Sequence, residues 1–355
     1  MNYKNIKIKA VAAMLCVLPA LVFAGNEDRA GQAGATELLI NPWARSSGWG
    51  NVNIAGVKGV DAMFLNIAGT AFTKSTDVSF SNTEWLSGSS IRINSLGLSQ
   101  KVGESGALGL YVMSMNFGDI QITTTENPEG GIGTFSPQFI NLGLSYSKAF
   151  SNSIYGGIQA KVISQSINDV KSQGFAFDAG IQYITGSNED QDNLKFGISI
   201  KNVGAPMQFS GDGLSFRGIV PINGNSITVE QRAEKFELPS LVSMGVSYDI
   251  PLAEDHMIVA AGSFTSNSFS RDQFDIGVQY AFKKLFMLRG AYGIEAQTAQ
   301  NDEDLDEVSA LTGLSAGLTL QVPLGKSGKS FGIDYSYRAS DPFDGSHSFG
   351  ARLTL

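Results

Sequence analysis

Along most of this chain apolar and polar positions alternate with a period of two. Phe175, Phe177, Ala179, Ile181 and Tyr183 interleave with Ala176, Asp178, Gly180 and Gln182. Phe274, Ile276, Val278, Tyr280 and Phe282 interleave in the same way with Asp275, Gly277 and Gln279. Successive side chains of a strand point to opposite faces, so each segment predicts a strand with one apolar, aromatic face and one polar or bare face. The frames FDAGIQY (177–183) and FDIGVQY (274–280) have shorter relatives, LGLSY (142–146) and MGVSY (244–248). Four strands thus carry a tyrosine on the apolar face, Tyr146, Tyr183, Tyr248 and Tyr280, each a few residues before a turn. An amphipathic ring near a strand end suits a membrane–water interface, here a girdle at the periplasmic side. A soluble sandwich with these rings in its core, or a ligand-stacking tyrosine set, is the alternative.

The same alternation predicts fourteen strands, near 77–86, 91–101, 106–117, 138–149, 154–166, 174–185, 194–203, 239–250, 257–266, 273–283, 285–296, 310–322, 330–338 and 346–355. Links after even strands are short. Those after odd strands include the long ones, 118–137, 204–238 and 297–309. A sandwich has no reason to sort its links by parity, whereas an outer-membrane barrel has short periplasmic turns and long outer loops. The last strand, which ends in Leu rather than an aromatic residue, is expected to pair with the first and remove both edges. The fold class read here is therefore all-β, a closed antiparallel transmembrane β-barrel of about 14 strands.

Composition changes this picture little. Charged residues are only 16% and Gly reaches 41, which suits short strands and tight turns more than a helical bundle. Lys4, Lys7 and Lys9 precede an apolar stretch, Ala10 to Phe23, too short to cross a bilayer comfortably and followed by Ala24. Residues 1–24 read as an export signal, 25–76 as an N-terminal plug or hatch, and 77–355 as the barrel. Cys16 raises lipidation as an alternative, but Leu15 occupies a place where a lipobox prefers a small residue. Removing the signal takes three lysines and the only cysteine, and moves the formal charge from −8 to −11. That acidity argues against a nucleic-acid partner, and the loss of Cys16 excludes thiol chemistry in the mature chain. Outer-membrane lipid is the expected surrounding.

Residues 25–75 do not alternate cleanly. They hold Trp43 and Trp49, and Asp61 is placed to cap a helical turn at 62–66. The stretch GATELLINPWARSSGWGNVNIAGVKGVDAMFLNIAGTAF, followed by VSFSNTEWL, resembles the N-terminal region of the PorV/PorQ family. The shared features are Ala44-Arg45, Gly48, Gly50, Asp61-Ala62, Asn66, Ala68-Gly69 and Trp85, continued by Asn202-Val203-Gly204, Leu238-Pro239, GIDYSYR (332–338) and GSHSFGARLTL (345–355). Ile67 replaces the proline usual after Asn-66 in that pattern. The resemblance implies a FadL-like barrel of fourteen strands with the N-terminal segment in its lumen, associated with type IX secretion. It also implies a partner, either secreted cargo or a component of the attachment machinery.

Little suggests catalysis. His256 and His347 lack zinc-site spacing, and no nucleophile elbow is present. No cofactor is expected. The acidic clusters 188–192 and 302–307 read as solvated loop charge, and the second lacks the glycine of a calcium loop. Asp178, Asp275 and Asp334 are expected to point inward, with Lys195 or Arg289, and Arg45 to hold the plug by pairing with one of these carboxylates. Asp61 and Asn66 complete the expected plug-fixing set. In the long link 204–238, Phe209, Phe216 and Phe236 suit contact with a partner protein at the outer rim; folding back over the barrel mouth is the competing reading. The functional expectation is a non-enzymatic secretion component, with uptake of hydrophobic small molecules as the alternative.

Overall fold

The computed structural model describes Arg29 and residues 31–185, 194–219, 222, 224–296, 310–325, 328–341 and 343–355. The expected export signal, the lipidation alternative at Cys16 and both acidic clusters lie outside these residues.

Fourteen antiparallel strands close into one barrel. They are β1 (Thr76–Trp85), β2 (Ile91–Val102), β3 (Gly106–Asn116), β4 (Gln138–Ala149), β5 (Ile154–Ile167), β6 (Val170–Thr185) and β7 (Leu194–Gly204), then β8 (Leu241–Ala253), β9 (His256–Asn267), β10 (Gln273–Phe282), β11 (Phe286–Glu295), β12 (Gly313–Pro323), β13 (Ser330–Arg338) and β14 (Ser346–Thr354). β14 pairs with β1, from Asp77 opposite Thr354 to Glu84 opposite His347. Closure leaves no unpaired strand edge, which hydrocarbon requires because no water is present there to satisfy backbone groups.

The burial pattern is the reverse of a soluble core. In β2, Leu96 is 55% exposed while Ser95 and Ser99 are buried. In β6, Phe175, Phe177 and Ile181 are exposed while Asp178 and Gln182 are buried. Such a face is stable only against lipid, and the sandwich alternative, which needs these rings buried, is excluded. The chain is an outer-membrane barrel.

Links at one end are short, as at 103–105, 150–153 and 283–285, and at the other include 117–137 and 205–240. The long-link end is the outer one. The two-residue link 168–169 is an exception there: β6 starts at Val170, four residues before the sequence pattern suggests. Asn168 adopts a left-handed conformation (φ 50°) that lets Ile167 and Val170 stay paired across the tight turn. The link 205–240 carries its own strands, Ser215–Ile219 paired with Ser226–Glu230, and Met207–Gln208 paired with Lys235–Phe236.

Before β1, the chain enters the lumen. It forms helical elements of one or two turns at Thr36–Leu39, Ala44–Ser47, Gly59–Asp61, Ala62–Leu65 and Ile67–Phe72. Trp43, Val52, Ala55, Met63 and Ala68 are all buried against the inner wall or each other. This plug supplies apolar material for a lumen whose own side chains are mainly Ser, Gly, Gln and charged residues.

Candidate functional site

Two regions could carry function, the seat of the plug and the outer mouth. The seat explains the repeated frame. In GIQY of β6, Gly180 has no side chain where Asn66 Oδ1 approaches; a Cβ there would lie 2.1 Å from it. Gln182 Nε2 donates to Ile54 O and Val57 O, both at 3.1 Å. In GVQY of β10, Gln279 accepts from Arg289 Nε at 2.6 Å. The bare and polar positions of the frame thus receive the plug or build the lumen, and the tyrosines face outward. Tyr146 and Tyr183 are 44% and 43% exposed, and Tyr248 and Tyr280 are half-buried, all near the short-turn end. Tyr280 Oη also meets His256 Nδ1 at 2.6 Å.

The three residues expected to fix the plug behave differently. Asn66 is buried, and its Nδ2 faces Ile54 O at 3.1 Å, Ile181 O of β6 at 3.1 Å and Ile198 O of β7 at 3.3 Å. Its Oδ1 accepts from Ala68 N and so caps the 67–72 turn, with Ile67 as the first residue of that turn. Arg45 does not pair with a wall carboxylate. Its Nε lies 4.0 Å from Asp61 Oδ2, within the plug itself. Asp61 makes no side-chain cap to the 62–65 turn: at φ −59° and ψ −27° it is already helical, at the end of the 59–61 turn, and cannot take the extended conformation of a cap. Burial pushes its carboxyl upward and Arg45 opposes this.

The inward carboxylates find other partners. Asp178 Oδ1 is 2.7 Å from Lys161 Nζ and accepts from Asn202 N at 2.7 Å. Asn202 adopts φ 61° at a bulge between β6 and β7, and its Nδ2 donates to Pro239 O at 2.9 Å. The separate segments Asn202-Val203-Gly204 and Leu238-Pro239 therefore form one corner at the outer mouth. Lys161 is a member the sequence reading missed; its alternation within β5 already placed it inward. Lys195 pairs with Asp249 at 2.6 Å. Arg352 Nη1 lies 3.9 Å from Asp334, while the nearest polar partner of Arg289 is Gln279.

At the mouth, Glu37 of the plug is buried, and Gln165 Nε2 donates to both of its carboxyl oxygens at 3.0 Å. Burial is the main cause that raises its carboxyl to about 7 from an ordinary 4.5, against the hydrogen bonds that lower it. The protonated form fits the folded state better, so its stabilising contribution is complete below about pH 4.5 and is lost as pH rises through about 7. Hydrogen exchange of residues 33–40 is expected to be slower at pH 5 than at pH 8 after correction for intrinsic rates, and Glu37→Gln is expected to abolish the difference. A pH-independent protection in the unaltered chain would contradict this.

The phenylalanines of the long link divide. Phe236 turns inward, packs on the cluster of Ala35, Leu38, Ile163 and Met207, and stands 5.6 Å from the Phe209 ring. Gly34 N donates to Glu237 O at 3.0 Å, which ties this part of the link to the plug. Phe236 thus folds back over the mouth, and Phe209 follows it. Phe216, 53% exposed, remains available on the 215–230 ribbon. Phe216 opposes Val229 and Gly218 opposes Ile227, which puts these four on one apolar face; Ser215, Arg217, Thr228 and Glu230 lie on the other, together with Ile219 and Ser226 at its end. Among the described residues, no group of three His, Cys, Asp or Glu side chains could hold a metal ion.

Comparison with known proteins gives two results. A family model described as type IX secretion system membrane protein PorP/SprF matches residues 70–352. The match names PorP/SprF, so the association with type IX secretion stands while the PorV/PorQ assignment does not follow from it. No curated protein matches the chain. Among solved structures, the Pseudomonas putida toluene transporter TodX is similar over 88% of this chain and 96% of its own, at 11% identity and a TM-score of 0.55. The CymD monoaromatic hydrocarbon channel is similar over 89% of this chain and 98% of its own, at 14% identity and a TM-score of 0.53. The Ralstonia pickettii toluene transporter TbuX covers 88% and 96%, at 12% identity and a TM-score of 0.51. These identities speak for the fold alone.

Proposed function

The chain belongs to the type IX secretion system membrane protein PorP/SprF family, and we propose that it is a non-enzymatic docking component of that machinery, holding a secreted cargo protein or an attachment partner at its outer links. The observation that carries this reading is the ribbon 215–230. A two-stranded ribbon is marginally stable alone, and one with an unpartnered apolar face needs something to cover it. Phe216 and Ile227 are 53% and 47% exposed on that face, at the end of the barrel that faces outward. A second reading, uptake of hydrophobic small molecules, is supported by the fold shared with toluene transporters. It is weakened by the plug, whose Trp43 and Val52 are buried inside the barrel and occupy its lumen.

Affinity capture of the tagged chain from detergent-solubilised outer membranes tests the first reading. The unaltered chain is expected to retain a secreted protein or attachment component. The double variant Phe216→Asp, Ile227→Asp is expected to lose most of it while the barrel stays folded, since both residues are exposed and lie outside the fourteen-strand ladder. Equal retention by both proteins would refute docking through the ribbon; recovery of the barrel alone from the unaltered chain would refute the reading itself.

A further inference from the structure

Between the plug and the outer halves of β7 to β11 lies a cavity of about 310 Å³. Its apolar wall comes from Leu39, Ile54, Phe64 and Leu65 of the plug and Leu241 of β8. Lys201 of β7 reaches this space. It is 8% exposed, and its Nζ stands 4.3 Å from the centre of the Phe64 ring. Among the described residues its ammonium makes no hydrogen bond and no ion pair within 4.0 Å. Two carboxylates share a second, smaller pocket with it, and both are committed elsewhere: Asp178 to Lys161 at 2.7 Å and to Asn202 N, and Glu37 to Gln165. The other charged groups on the lining have partners. Asp275 accepts from Gln273 at 2.7 Å and Ser263 at 3.2 Å, and Arg271 and Glu295 each have an interaction of their own. A cation this buried needs a counter-charge, water or a ring face, and Phe64 covers only one side of it.

We infer that this cavity binds a small amphiphile with one negative charge, a carboxylate on an apolar body, whose head meets Lys201 and whose body lies against Phe64 and the aliphatic wall. One ammonium matches one charge. Asp275 and Glu295 on the same lining disfavour a dianion such as a phosphate ester. The volume is at the lower end of small-molecule sites, about 300 Å³ and upward, so the body is short. Such a ligand touches plug and wall together, so occupancy also holds the plug in its seat. This site is separate from the ribbon, and the inference does not depend on the docking reading.

The test uses the full chain in lipid nanodiscs and titration calorimetry with octanoate, octanol and octylammonium. Octanoate is expected to bind one per barrel, and Lys201→Met to weaken it about tenfold or more. Lys201→Arg is expected to keep it, and octanol and octylammonium to bind more weakly than octanoate. Heat-modifiable migration on gels verifies that each variant is a folded barrel. If Lys201→Met does not fold, Thr265→Phe fills the cavity from a half-buried position and is expected to abolish octanoate binding. Unchanged octanoate affinity in the variants, octanol or octylammonium bound as tightly as octanoate, or no binding of octanoate up to millimolar concentration would overturn the assignment. In the last case the cavity holds water only.

Discussion

Gly197→Val is expected to produce a folded barrel with a dislodged plug. Valine favours strands, and β7 is fully paired with β8 through this position, so the wall itself gains from the change. The plug does not. A Cβ at Gly197 would lie 2.6 Å from Ile54 O and 2.8 Å from Ala55 Cα, both backbone atoms that no rotamer change can move aside. Ile54 O is also the acceptor for Asn66 and Gln182, so shifting it breaks the latch on two sides. Overpacking of this kind costs about 1–3 kcal/mol even where the surroundings relax, and the lost hydrogen bonds add to it. The expected result is a heat-modifiable barrel in which trypsin cuts at Arg45, Lys58 or Lys74, and whose ion conductance in planar bilayers exceeds that of the unaltered chain. Trypsin resistance equal to that of the unaltered chain would show that the plug is not seated on β7 as described.

The barrel was legible in the sequence because its physics is local. Each strand must show lipid every second side chain, so Phe177, Ala179, Ile181 and Tyr183 announce their face without knowledge of any partner. Boundaries followed where a turn residue was visible, as at 138–149 and 330–338. They slipped where a tight turn let the ladder run on, as at Asn168. The plug was legible only as a break in the alternation. Its turns at 36–39, 59–61 and 67–72 are too short to show a period, and each is held by groups far away in sequence. Asn66 meets β6 and β7 carbonyls 115 and 132 residues on, and Glu37 meets Gln165 128 residues on. Asp61 misled for the same reason: an acidic residue before an apolar run reads as a cap, and only the tertiary position of Arg45 shows another partner. Lys201 was hidden by a different cause. Alternation puts it inward, but that its ammonium lacks a carboxylate is a property of the assembled mouth, where Asp178 is held by Lys161 and Glu37 by Gln165.

The same contrast between local and distant partners ranks the plug-fixing residues. Asn66 is a donor to three carbonyls with an amide that has only two protons, so one proton is shared, and the site has no room for an acceptor in place of the NH2 group. Asn66→Asp puts a carboxylate, an acceptor only when ionised, against Ile54 O, Ile181 O and Ile198 O in a buried position. An uncompensated buried charge costs about 3–5 kcal/mol. The charge can be avoided by protonation, which makes the defect smaller at low pH. Asn66→Leu loses the same bonds without the charge, and is expected to cost about 1–3 kcal/mol for the acceptors and the Ala68 N–H it leaves behind. Arg45→Ala is expected to cost less than either, because Asp61 stands at the 4.0 Å limit of an ion pair and its carboxyl, which burial already pushes upward, can take a proton when Arg45 is gone. Protease half-lives of the plug at pH 8 should therefore fall in the order Arg45→Ala, Asn66→Leu, Asn66→Asp, and at pH 5 the last two should converge. If Arg45→Ala releases the plug as fully as Asn66→Asp, the segment is held by its own charges and not by the backbone of β6 and β7.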